Sequence, residues 1–172
     1  MKKIGYRKEI FEKTPIVTGR ERSLIIGVDE VRKSVFAICE LDSLIASHNE
    51  QNFSNSKDYP IDEKGRNVND RNYLKDKNAQ AKVKSVAQDL KPNLIIDTGS
   101  SPSGTPIITV DGIVVSGNNR IMSLKLAKSN FLDNYNNYKK VLKKELDYGG
   151  YGIKSESIST KIKNPVLVRI DY

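Results

Sequence analysis

Pro106-Ile107-Ile108-Thr109-Val110-Asp111-Gly112-Ile113-Val114-Val115-Ser116-Gly117-Asn118-Asn119-Arg120 is the stretch from which the fold of this chain is read. Two short β-branched runs flank Asp111-Gly112, a pair that supplies the positive φ values of a two-residue type I′ turn. The segment therefore reads as a hairpin. Its second strand ends at Ser116-Gly117 and feeds a helical stretch that runs to about Lys128. A strand that turns into a helix through glycine is the local geometry around which the remaining elements are placed.

Working upstream, Val83, Val86, Ala87 and Leu90 fall at i, i+3, i+4 and i+7, so a helix is expected from Ala79 until Pro92 stops it. Leu94-Ile95-Ile96 reads as a strand, and Asp97 to Gly104 as a Gly/Ser/Pro loop. Ser47 to Asn78 is polar and rich in Asn and Asp, with scattered anchors at Phe53, Tyr59 and Ile61. A connection that long inside a small domain is usually functional or disordered, and its aromatic anchors favour a loop draped over the surface. Before it, Leu24 to Val28 and Val35 to Cys39 give a strand, turn, strand signal around Asp29 to Lys33. Asp42 stands where an N-cap would, ahead of Leu44-Ile45-Ala46. Residues 1–22 mix charges without periodicity and are expected as an N-terminal arm, leaving 23–172 as the domain.

Downstream, Phe131, Tyr135, Tyr138, Leu142 and Leu146 share one side of a helix that Gly149-Gly150 ends. Pro165 to Ile170 closes the pattern as a strand. Helices and strands interleave without βαβ repetition, which predicts a mixed α+β domain.

The 172 residues carry 29 basic against 21 acidic side chains, a formal charge of +8. The excess is lysine, 21 against 8 arginines, which fits a solvated surface and equally a footprint for DNA or nucleotide phosphates. No stretch of 18 apolar residues exists, so no membrane span is expected. The charged start lacks the apolar core of a secretory signal. One cysteine and one histidine build neither an internal disulfide nor a zinc site, and a cytoplasmic setting is the expectation.

A helix that starts after a glycine presents unpaired N–H groups and the positive end of its dipole to an anion. Gly117 lets a phosphate approach the backbone, Asn118 or Asn119 can cap the helix, and Arg120 adds a forked cation. The same residues also describe an ordinary capped helix with a solvated arginine. His48, in a polar loop, is a candidate base, metal ligand, phosphate donor or helix-end cap. Glu40 and Asp42 are candidate ligands for Mg²⁺, with surface charge and an N-cap as the plainer reading.

Gly104 to Ile108 and Asp111 to Ala127 together resemble the core of the ParB/sulfiredoxin superfamily, in which the strand-to-helix turn holds nucleotide phosphates. Leu41 to Asn49, Tyr59-Pro60 and Pro165 to Arg169 resemble one branch, the DdrB-like ParB domains of phages and mobile elements. The likeness runs from about Val35 to Ile170. Lys64-Gly65-Arg66 keeps the arginine alone of that branch's Gln-Pro-Arg segment. The second arginine expected two positions later is Val68, with Arg71 the nearest stand-in. The cysteine that sulfiredoxins carry in the turn is missing, so sulfinic acid reduction is not implied.

The resemblance implies a mixed sheet and the binding of CTP or ATP by Ser116, Gly117, Asn118, Asn119 and Arg120, closed over by Arg66 and His48, with Mg²⁺ on the phosphates. Slow hydrolysis, with His48 or Glu40 as candidate catalytic groups, and a homodimer accompany that expectation. The alternative is a nucleic-acid-binding or nuclease module of a phage DNA-processing or anti-defence protein.

Overall fold

Strand β5, Pro165–Asp171, is the seam of the molecule. The computed structural model describes residues 15–26, 30–64, 71–96 and 104–171. Within it, β1 (Val17–Ile26) and β2 (Glu30–Glu40) form a long antiparallel ribbon, and β3 (Ile107–Ile108) and β4 (Val114–Ser116) a short one. β5 lies between the ribbons, antiparallel to β2 and parallel to β3, giving the mixed order β1-β2-β5-β3-β4. The architecture is α+β, as the alternation of elements predicts.

Among the described residues four α-helices complete it: α1 (Lys77–Gln88), α2 (Pro92–Ile96), α3 (Asn118–Asn130) and α4 (Leu132–Tyr148). Asp76 caps α1 by accepting the Ala79 N–H at 3.0 Å. Val83 and Ala87 turn its apolar stripe inward, where α1 packs on α3. α3 is buried along most of its length, with α4 on a second flank. Two stacked tyrosines of α4 hold the seam strand: Tyr135 Oη donates to the Pro165 carbonyl (3.1 Å), and Tyr138 Oη accepts the Leu167 N–H (3.2 Å). On β2 every side chain from Ser34 to Cys39 is buried, and Phe36 meets the edge of Tyr151 at 5.0 Å.

Several local expectations change. Val17 to Arg22 belong to β1 rather than to an irregular arm, because Val17, Thr18 and Glu21 to Arg22 find partners on β2. Val31 to Lys33 continue β2 instead of forming the turn. Leu94-Ile95-Ile96 is helical, the end of α2: Pro92, with no N–H to lose, opens a single turn. Leu44 to Ala46 is not a turn of helix. Leu41–Ser43 forms the 3₁₀ turn, after which Ile45 runs extended beside β4, donating to the Gly112 carbonyl and accepting from the Val114 N–H. The hairpin loop has three residues: Thr109 N–H bonds to the Ile113 carbonyl, and Gly112 alone takes a positive φ, of 86°. That is a type I turn with a glycine bulge, in which Asp111 need not enter the left-handed region.

Candidate functional site

The residues that turn β4 into α3 shape one wall of a cleft of about 660 Å³. Gly117 is the N-cap of α3 and takes φ 90°, ψ 28°, a left-handed conformation that glycine adopts without a Cβ penalty. It offers no side-chain cap, and the first turn of α3 holds no carboxylate to offset the dipole. Asn118 and Asn119 are therefore the first two residues of the helix, not its cap. Ser116, Asn119 and Arg120 complete this wall.

Asn118 has a structural task that sequence reasoning missed. It is 6% exposed, its Oδ1 accepts the Ser47 N–H at 2.8 Å, and its Nδ2 donates to the Val114 carbonyl (3.2 Å) and to Tyr59 Oη (3.3 Å). Tyr59 Oη donates to the same carbonyl at 2.7 Å. One amide thus ties the Ile45 to His48 segment, the draped loop and β4 to the head of α3. Its hydrogen-bonding capacity is spent on the protein. Asn119 differs: its Nδ2 is enclosed and makes no hydrogen bond, although the amide stands near enough to the Tyr73 hydroxyl to favour its ionised form.

Arg120 folds back over Gly117. A Cβ at position 117 would lie 2.9 Å from Nη2, so the absence of that carbon lets the guanidinium sit there. Nη1 donates to the Gly104 carbonyl at 2.9 Å. Burial pulls the guanidinium below its usual range while the Tyr73 hydroxyl works against that, and it remains a cation at neutral pH.

The facing walls come from α1 and α2, with Lys82, Ser85, Val86 and Asp89 on one side and Leu94 and Ile95 on the other. Arg71 and Tyr73 close one end and Lys91 adds a further charge. Among the described residues that line the cleft, Arg71, Lys82, Lys91 and Arg120 meet a single carboxylate, Asp89, which stands 3.6 Å from Lys91 Nζ. Leu94 and Val115 leave apolar surface in the cleft, at 50% and 44% exposure. Lys82 and Lys91 carry no signal beyond surface lysines in the sequence. Tyr73 sits unmarked in a polar loop.

The other sequence candidates lie elsewhere. His48 is 2% exposed and does not line the cleft; it packs behind Tyr73, ring centroids 5.1 Å apart, with Nδ1 2.9 Å from Ser47 Oγ. Burial lowers its pKa from the ordinary 6.5, opposed by a contact with Asn55, and its Nε2 has no hydrogen-bond partner. A neutral imidazole behind the wall is support for the site, not a base or phosphate donor within it. Glu40 accepts from the Asn164 backbone and side chain (3.0 and 3.2 Å), and Asp42 pairs with Lys128 at 2.6 Å. Lys128 is three turns along α3 from Gly117, about 16 Å at 1.5 Å per residue. Both carboxylates therefore sit at the far end of the helix and do not fit a metal bound at its head. Among the described residues no group of three or more His, Cys, Asp or Glu gathers around one point. Arg66 lies outside the described residues. Among those described, no helix is long and apolar enough to cross a membrane.

A family model described as the ddrB-like ParB superfamily domain matches residues 29–171. Comparison with curated proteins and with solved structures gives no match.

Proposed function

The chain belongs to the ddrB-like ParB superfamily, and we propose that its cleft binds a nucleoside triphosphate, CTP or ATP, phosphates toward the head of α3. The observation that carries this reading is the pairing of an uncapped, carboxylate-free helix start with four cationic side chains, counted among the described residues, around one cavity. Backbone amides at a helix N-terminus and a guanidinium folded over a glycine are suited to phosphate oxygens. Leu94 and Val115 supply apolar surface for the base and sugar. The proposed role is binding rather than turnover, since His48 and Glu40 are both outside the cleft. No step depends on Mg²⁺ held by the protein; the ion would arrive on the phosphates.

The test is a thermal-shift panel of CTP, ATP, GTP and UTP with Mg²⁺. At a hundredfold excess over Kd, binding contributes about 2.7 kcal/mol, or roughly 5–10 °C for a chain of this size. Arg120→Ala and Lys82→Glu should each abolish most of that shift, measured against their own unliganded melting points. Four silent nucleotides, or a shift that survives both substitutions, would remove the proposal.

A further inference from the structure

We infer that the cleft is the end of a longer anion track, and that the ligand class extends to single-stranded nucleic acid. A terminal nucleotide would occupy the cleft and the phosphodiester backbone would leave over Arg71 toward Lys75. This rests on the proposed nucleotide site and extends it from a monomer to a polymer.

A second, more open hollow of about 500 Å³ adjoins the cleft, lined by Arg71, Asn72, Lys75 and Asp76. Arg71 borders both cavities, so an anion chain passing from one to the other stays beside the same guanidinium. Asp76, the carboxylate among the described residues of the second hollow, is turned to the start of α1, where it accepts the Ala79 N–H, and Arg71 and Lys75 outnumber it. From Arg71 to Lys91 the sequence places six basic residues against two acidic ones, half of the chain's formal +8. A free triphosphate is satisfied inside the cleft and leaves Lys75 without a role. A strand gives each basic hollow a phosphate. The exposed apolar surfaces of Leu94 and Val115 suit the face of an unpaired base, which a duplex would keep stacked on its neighbours.

Fluorescence anisotropy with a labelled, 5′-phosphorylated oligothymidylate, on the full chain, tests this. The oligonucleotide should be displaced by whichever mononucleotide raises the melting point. Lys75→Glu should weaken oligonucleotide binding about fivefold or more and lower the logarithmic salt slope by about 0.7, one phosphate contact on a single strand. The mononucleotide thermal shift should remain as in the parent protein. Lys144→Glu, the same charge change on an exposed turn of α4, should alter neither. A mononucleotide shift without oligonucleotide binding overturns this inference and leaves the nucleotide site standing. Undiminished oligonucleotide binding by Lys75→Glu, or failure of the mononucleotide to compete, overturns it too. Absence of any mononucleotide shift removes the reading beneath it.

Discussion

Replacing Asn118 by alanine should be far more damaging than replacing its neighbour Asn119, although both begin the same helix. The Asn118 amide accepts from a backbone N–H at Ser47, a residue with no exposed surface, and truncation to alanine leaves that donor without its acceptor. A buried donor left unsatisfied costs about 1–3 kcal/mol, and each ordinary hydrogen bond lost about 1 kcal/mol. The Val114 carbonyl keeps its bond from Tyr59 Oη, so the loss there is partial. The better helix propensity of alanine returns about 0.5 kcal/mol. Together these give about 3 kcal/mol, or roughly 6–12 °C in melting temperature at 2–4 °C per kcal/mol for this size. Asn119 Nδ2 has no partner to lose, its Oδ1 accepts only a long 3.4 Å bond from Ser123 Oγ, and that hydroxyl keeps the Val83 carbonyl as an acceptor, so Asn119→Ala should cost less than about 1 kcal/mol. Urea unfolding of both variants, with unchanged m-values, measures the difference. Equal losses in the two variants, or a negligible loss in Asn118→Ala, would refute the assignment of Asn118 as the tie between the long loop and the site.

Gly117→Ala places a Cβ in a backbone at φ 90° and 2.9 Å from Arg120 Nη2. It should cost about 1–2 kcal/mol in stability from the left-handed conformation and also abolish the nucleotide-induced thermal shift. Retention of the full shift would contradict the geometry proposed for the phosphates. Gly19→Ala would set a Cβ 2.2 Å from the Tyr151 carbonyl oxygen, which is backbone and cannot swing aside; overpacking of that kind costs about 1–3 kcal/mol. A parent-like melting curve would show that β1 does not lie this close to the Tyr151 carbonyl. For His48 the folded pKa lies below the ordinary 6.5, so the unfolded chain binds the proton more readily. Its contribution is complete above pH 6.5 and declines as the pH falls through the folded value. His48→Gln should flatten the stability profile between pH 7 and 5, read by urea unfolding at stepped pH; identical slopes would count against a buried neutral imidazole.

What could be read from the residues alone depended on length and punctuation. α4 spans several turns with an apolar stripe that Gly149 ends, so its periodicity is unambiguous, whereas α3, buried on most sides, is announced by Gly117 at its start rather than by a stripe. The Asp111-Gly112 hairpin was legible as a hairpin, but choosing between a two- and a three-residue loop requires knowing which φ values are positive. Leu94 to Ile96 is too short to separate strand from helix by pattern, and packing decided for a turn opened by Pro92. The head of α3 was recognisable from Gly117 and Arg120, whereas the opposing wall was not. Lys82, Lys91 and Tyr73 acquire meaning only once α1, α2 and the loop fold against it. Asn118 misled because asparagine before a helix usually caps it, and here glycine occupies that place. His48, Glu40 and Asp42 stand close together in sequence, yet the extended Ile45 segment carries His48 behind Tyr73 while β2 and the 3₁₀ turn leave both carboxylates beside Asn164, at the far end of α3.

The position of β5 also bears on how the molecule assembles. As residues emerge in order, both hairpins are made long before the strand that joins them, and each then presents an unpaired edge. Registry across the sheet is settled late, through contacts distant in sequence, which favours slow folding. Since α3 hangs from β4, ligand arriving on a nascent chain would meet a half-built pocket. Competence for binding should accordingly appear in one step, when residues 165–171 thread into place.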